Sequence, residues 1–405
     1  MEVDGSVSEE AKPNAAFRHT RARRWAEGAV ILLAIAVAVL AIRADAFWFE
    51  RHAYGFRCAR DPRLFQVAGA ARAGAFAVAA ILALVVRPLI GRAVSAWGLP
   101  SAGTLARCAA AVVVSLVTTE IILRLRDEPA PPADMRFCPP VRPSAVYQYG
   151  LLASSDYVWR VANRDIHYAV NAEGNRARTP NTEADHEKPT LLVAGESIAL
   201  AMAIPYEESF AARLEEDLGV QVVDLGVHGY ATDQAYLRTA EVLPLYARPI
   251  AIVTVFVPEQ VIRAESETRS RLRIGADGAL ALEPPPPAWW RDLKLRALLR
   301  DAIPYHGDAE MADLRAIVRA TADLARSRGA FPLFLATNFD VPCLDVRGKR
   351  PWLLRTLFDE QGIAYAAVDL PVSARVGGAE WHPGPIGHKM LADAVEAALR
   401  AKKIF

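Results

Sequence analysis

Thr190-Leu191-Leu192-Val193-Ala194-Gly195-Glu196-Ser197 is the stretch from which the rest of this chain can be read. Five residues without polar alternation describe a short strand buried on both faces, as in a parallel sheet covered by helices. The strand stops at Gly195-Glu196-Ser197, and Ile198 to Ala203 reads as a helix that follows it. Such a turn presents a serine hydroxyl at a strand's carboxyl end, where ligands and catalytic groups collect in open α/β sheets. A serine in that place also reads as a plain helix N-cap. Far downstream, Glu380-Trp381-His382-Pro383 supplies a carboxylate and an imidazole two residues apart. Serine, histidine and an acid are together the components of nucleophilic acyl transfer.

Outward from that strand, apolar runs alternate with amphipathic segments. Expected strands are Thr190 to Ala194, Val220 to Leu225, Pro249 to Phe256, Phe331 to Ala336 and Ile363 to Val368. Expected helices are Glu207 to Leu218, Thr232 to Tyr246, Ala309 to Arg328, Trp352 to Gln361 and Pro385 to Ala401. Strands separated by helices argue for a doubly covered parallel sheet. Right-handed crossovers then predict a flavodoxin-like, three-layer α/β arrangement with strand order 2-1-3-4-5. Before it, Tyr157 to Val161 and Ile166 to Val170 have β character and close on the turn-rich Asn171 to Arg176. An insertion from Arg263 to His306 interrupts the rhythm. It contains a hairpin around Asp277-Gly278, four prolines (Pro284 to Pro287) and the pair Trp289-Trp290.

The first third is different. Ala29 to Ile42, Val67 to Val86 and Cys108 to Leu123 are strongly apolar, each near the ~20 residues a membrane span needs. The first also has the length of a signal-peptide core, with Ala44-Asp45-Ala46 as a passable cleavage site. Arg72, inside the second, has a stem long enough to snorkel. Glu120, near the end of the third, is placed to pair with Arg124 one turn on. The expected organisation is a basic cytoplasmic tail over 1–24, a membrane anchor of about three helices over 25–126, a Pro-rich linker over 127–150 and a catalytic-type domain over 151–405. Arg18, Arg21, Arg23 and Arg24 should hold the amino terminus in the cytoplasm. An odd number of spans then makes this an integral, multi-pass protein of the inner or plasma membrane with its C-terminal domain extracytoplasmic. Of the four cysteines, Cys58 and Cys138 would share that outer side, where they either form a disulfide or stand as free thiols.

A family resemblance rests on three blocks: Gly195-Glu196-Ser197; Asp224-Leu225-Gly226-Val227-His228-Gly229-Tyr230-Ala231-Thr232-Asp233-Gln234; and Glu380-Trp381-His382-Pro383 with Gly387-His388. In order and spacing the chain resembles the SGNH/GDSL hydrolase superfamily from about Ser155 to Ala401. Asn171 to Arg176 also resembles an Asn-x-x-Gly-Phe-Arg lead-in of envelope-associated members. The resemblance implies Ser197 as nucleophile, His382 as general base, Glu380 as the acid that orients it, and the backbone N–H groups of Ser197 and Gly229 as oxyanion donors. His388 reads as a surface or packing residue of the last helix. A third oxyanion donor in the family is an asparagine side chain after the third strand. Here Pro258 stands in that place, with Glu259 and Gln260 after it. Proline has neither an amide side chain nor a backbone N–H.

Other chemistries have no footing. Net charge is +1, with no basic stripe interleaved with aromatics, so nucleic acid is not an expected partner. No CxxC pair or zinc spacing suggests a metal, and without a P-loop, GxGxxG or HExxH no cofactor is expected. An α/β-hydrolase elbow would read Gly-x-Ser-x-Gly, whereas Ala199 fills the last position. The leading expectation is a membrane-anchored SGNH-type ester hydrolase or O-acyl/acetyl transferase acting through an acyl-serine. Its partner would be an acyl or acetyl ester of an envelope carbohydrate or lipid. A catalytically silent SGNH-fold protein that binds a glycan or partner is the second expectation, and a membrane assembly factor the third.

Overall fold

The computed structural model describes residues 14–43, 64–97, 102–126, 140–161, 164–258, 260, 269–296, 308–338, 349–377 and 380–405. They fall into two compact units. One is drawn from Met1–Tyr54, Asp61–Glu128 and Leu293–Pro304, the other from Gly55–Arg60, Pro129–Asp292 and Tyr305–Phe405. Cys58, Cys138, Glu259 and residues 127–139 of the expected linker lie outside the described residues.

The first unit is helical: Asn14–Arg43, Leu64–Ile81, Arg87–Trp97 and Ala102–Arg126, with a π-helical turn at Leu82–Val86. Among the described residues, two stretches are long and apolar enough to cross a membrane, Ala22–Ile42 with 21 residues and Gly69–Ala96 with 28. Their large apolar side chains, among them Leu32, Ile35, Leu40 and Leu84, point outward rather than into a core. Arg72 donates from Nε to the Ala41 carbonyl at 3.1 Å, so its charge is answered by a helix C-terminus. Glu120 forms the expected i,i+4 pair with Arg124 at 2.7 Å and also accepts the backbone N–H groups of Lys294 and Leu295.

The second unit carries the sheets. Its strands are β1 (Val141–Ser144), β2 (Gln148–Leu151), β3 (Ser155–Val161), β4 (Arg164–Val170), β5 (Arg176–Ala177), β6 (Pro189–Ala194), β7 (Gln221–Asp224), β8 (Arg248–Phe256), β9 (Arg271–Ile274), β10 (Leu280–Glu283), β11 (Phe331–Asn338), β12 (Tyr365–Asp369), β13 (Arg375–Gly377) and β14 (Glu380–Pro383). Eight form one sheet in the order β12-β11-β8-β6-β7-β5-β4-β3. The five strands from β12 to β7 are parallel. Numbered along the chain, they have the order 2-1-3-4-5, as the crossover argument requires. Beyond β7 the sheet continues antiparallel through β5, β4 and β3. The two early β segments thus extend the main sheet and cover the edge β7 would otherwise expose. The expected linker ends in structure too, since β1 and β2 pair as a hairpin over 141–151.

Alternation along the strands builds the layers. Leu191 and Val193 of β6, with Ala251, Val253 and Val255 of β8, meet Phe210, Leu214, Leu391, Val395 and Leu399 from the helices Phe210–Leu218 and Pro385–Ala401. Leu192, Ala194 and Ile252 face the other way, against Val242, Leu243 and Ala325. Each such fully buried aliphatic side chain contributes about 1.5–3 kcal/mol relative to exposure. In the insertion, β9 and β10 pair around Asp277-Gly278 as expected, with Ile274 opposite Leu280.

Candidate active site

The strand β6 delivers the first block. Gly195 has φ +147°, and a Cβ there would fall 2.9 Å from Val255 Cβ and 3.1 Å from Ala199 Cβ. Only glycine lets the chain turn this close to β8. The helix expected over Ile198 to Ala203 does not form. Residues 197–203 make successive turns instead, with Ala201 at φ 52° and Ala203 at φ 74°. Left-handed residues end any helical run, so the carbonyls here need partners from elsewhere. Arg176, on β5 and fully buried, supplies them. Its guanidinium donates to the carbonyls of Leu200, Ala201 (2.5 Å) and Ile204 (2.7 Å), and stacks 4.3 Å over the Tyr168 ring. Burial lowers its pKa below the usual arginine value.

The second block docks on the first. Leu225 and Val227 donate to Val193 and Gly195, at 2.8 and 3.2 Å. Gly226 lies so close that a Cβ would fall 2.3 Å from the Leu200 nitrogen. Asp224 accepts the Gly226 N–H at 2.8 Å, and burial pushes its carboxyl up to about 7. Gly229 comes next at a positive φ of 76°, beside His228, whose carbonyl accepts from the Tyr149 hydroxyl at 2.8 Å. Burial pulls the His228 imidazole down to about 4. Past the turn, at the start of the helix Thr232–Val242, the Gln234 side-chain oxygen accepts the Ala231 N–H at 3.0 Å.

The third block closes the site. His382 sits on β14, directly before the helix Pro385–Ala401. Its Nε2 lies 2.9 Å from Ser197 Oγ, across 185 residues of sequence, and both residues are buried. The backbone of Glu380 pairs with Gly377, but its side chain lies outside the described residues. His388 packs in the interior, not on the surface. It stacks on Phe210, accepts that residue's N–H on Nδ1 at 3.2 Å, and is held by burial down to about 3. Near the family's asparagine position, Pro258 is buried. Gln260 is turned inward, its amide donating to the Val255 carbonyl and accepting from Thr232. Asn338 ends β11 with its side chain outside the described residues.

The five parallel strands in 2-1-3-4-5 order, with the serine block after the first of them and the histidine block before the last helix, decide the fold. It is a flavodoxin-like three-layer α/β fold, the arrangement that the SGNH/GDSL resemblance implies. No family model and no curated protein gives a significant match to the sequence. Solved structures similar to it include a member of the lipolytic protein G-D-S-L family from Veillonella parvula, with 13% identity over 51% of this chain and 96% of that one, at TM-score 0.32. A family two carbohydrate esterase from Clostridium thermocellum in complex with cellohexaose matches at 10% identity, 55% and 66% coverage and TM-score 0.32. A salicylyl-acyltransferase from a tetracycline biosynthetic pathway matches at 14% identity, 56% and 58% coverage and TM-score 0.28.

One further contact lies on Ser197 itself. Glu196, 1% exposed, folds its carboxylate back over the turn. Oε2 accepts the Ser197 N–H at 2.7 Å and also contacts the Ser197 hydroxyl, while Oε1 accepts the Ile198 N–H at 3.0 Å. The signal available in the sequence was a glutamate where the family usually has aspartate.

Proposed function

We propose that the chain is an SGNH-type serine esterase or acyltransferase that works through an acyl-serine at Ser197. The observation that carries this reading is the 2.9 Å approach of His382 Nε2 to Ser197 Oγ, a nucleophile and base within hydrogen-bond reach. Oγ attacks the ester carbonyl carbon as its proton passes to Nε2. The carbon–oxygen bond to the leaving group then breaks, and the same proton goes to the departing alkoxide. Water or a second hydroxyl, deprotonated by His382, releases the acyl group in the reverse sense. Glu380 orients His382, and the Gly229 N–H joins that of Ser197 at the oxyanion. Substrates are acyl or acetyl esters of an envelope carbohydrate or lipid. The apolar helices Ala22–Ile42 and Gly69–Ala96 support a membrane anchor; with Cys108 to Leu123 as a third span their number is odd, which puts the catalytic unit outside the cytoplasm.

The test is labelling of the full-length, detergent-solubilised protein with a fluorophosphonate. Labelling that disappears in Ser197→Ala and His382→Ala supports the reading; folded wild-type protein that takes no label overturns it for the native chain. Alkaline phosphatase fused after Leu151 is active if that side faces out, and a well-expressed inactive fusion reverses the assignment.

A second reading, a silent fold that binds a glycan or protein, draws on Pro258 and the inward-turned Gln260. Together they leave the oxyanion without its usual side-chain donor. Loss of one such donor lowers kcat by about 10²–10³.

A further inference from the structure

We propose that Glu196 is a latch on Ser197, and that the site as it stands is a self-capped resting state. This rests on the reading of Ser197 as the nucleophile. The hydroxyl has one proton and two acceptors beside it, the Glu196 carboxylate and His382 Nε2. A proton shared with the carboxylate is not available to the imidazole, and the imidazole can then donate to Oγ rather than accept from it. The Ser197 N–H, the donor that an oxyanion needs, is meanwhile taken by the same carboxylate at 2.7 Å. The adjoining Ile198 N–H is taken by its other oxygen at 3.0 Å.

An oxyanion and a carboxylate cannot share that N–H. Both carry negative charge, and in a buried site their repulsion is weakly screened. Acyl transfer therefore requires the Glu196 side chain to turn away first, which frees both the hydroxyl proton and the backbone donor. Glutamate has one methylene more than the aspartate usual at this place, and it loops back over its own carbonyl to reach residues 197 and 198. Glu196 thus sets the fraction of molecules ready to react and leaves the chemistry itself to Ser197 and His382.

The experiment compares fluorophosphonate labelling rates of the full-length wild type, Glu196→Ala, Glu196→Gln and Glu196→Asp, with Ser197→Ala as the site control and thermal unfolding as the check on folding. Glu196→Ala is expected to label about 10- to 100-fold faster, up to the lower end of the 10²–10³ that one oxyanion donor supplies. Glu196→Gln keeps an oxygen for the N–H but, being neutral, competes more weakly for the hydroxyl proton and does not repel an oxyanion, so its rate falls between the two. A rise in rate cannot come from lost structure. If wild type labels at Ser197 while both Ala and Gln variants, folded, label no faster, the latch is wrong and the nucleophile stands. If wild type is silent and Glu196→Ala labels at Ser197, the latch is supported and the native chain is held inactive by it. If none of the folded proteins labels, the nucleophile assignment falls and takes the latch with it. Should Glu196→Ala fail to fold, the near-isosteric Gln variant decides alone, a rate equal to or below wild type overturning the latch.

Discussion

Arg269 and Asp233 form a buried, bidentate ion pair, with Nη1 2.6 Å from Oδ2 and Nη2 2.8 Å from Oδ1. Asp233 lies in the first turn of the helix Thr232–Val242, at the end of the second block; Arg269 stands at the root of the β9–β10 hairpin, and the Leu272 N–H adds a further donor to the carboxylate. The pair ties the insertion to the helix that positions Gly229. Removing one partner strands a buried charge, so Asp233→Asn or Arg269→Met should each lower stability by about 3–5 kcal/mol. The double variant should lose less than the sum of the two. Urea unfolding of all four proteins measures the coupling, and additive losses would show that the pair does not act as a unit.

Arg176→Met removes a donor from three buried carbonyls, of which that of Ala201 keeps the Ile204 N–H, while retaining much of the volume. Unpartnered groups of this kind cost about 1–3 kcal/mol each. The expected result is a loss of several kcal/mol in chemical denaturation, together with loss of fluorophosphonate labelling, because residues 197–203 are no longer held. Lysine at 176 should recover only part, since it cannot span three acceptors with a planar fork. Full recovery by lysine would mean that charge alone matters.

Asp224 gives stability a dependence on pH. Its folded pKa, about 7, lies above the ordinary aspartate value of 3.8, so the folded state binds the extra proton between them. The unfolded state binds fewer protons there, and stability from this group falls as pH rises from about 4 to about 7. Asp224→Asn should remove that slope and leave the protein roughly 4 kcal/mol more stable at pH 8 than a buried carboxylate allows. Unfolding free energies at pH 5 and 8 for both proteins check it; parallel curves would contradict it.

His388 works in the other direction. Burial holds its folded pKa near 3, below the ordinary 6.5, so the unfolded state takes up the proton first. Its contribution is complete above about pH 6.5 and drains away as pH falls toward 3. His388→Phe, which keeps a ring against Phe210, should flatten the acid side of the stability profile. It also leaves the Phe210 N–H without an acceptor, so it should unfold at lower denaturant at neutral pH.

Much of this was legible because two-sided burial leaves an unmistakable trace. β6 and β8 are continuous apolar runs, and they lie within a residue of where those runs place them. The helix Pro385–Ala401 has the bounds its pattern requires. The segment 197–203 misled, because Ile198 to Ala203 has helical composition while the backbone is shaped by Gly226 and Arg176 pressing from other elements. Tertiary contact overrode propensity there. The joining of β3 and β4 to the main sheet was equally hidden, since a period-two pattern names a strand but not its neighbour.

By itself, then, the amino-acid order determined the strands, their succession, the apolar helices at the amino terminus and the three blocks with Ser197, Gly229 and His382, because these arise from local periodicity and turn chemistry. Only the tertiary structure decided that His382 reaches Ser197, that Arg176 holds the turn between them, and that Glu196 lies on the serine. The physical reason is range. Hydrophobic patterning acts within one element, whereas a hydrogen bond across 185 residues depends on where the whole sheet brings its ends.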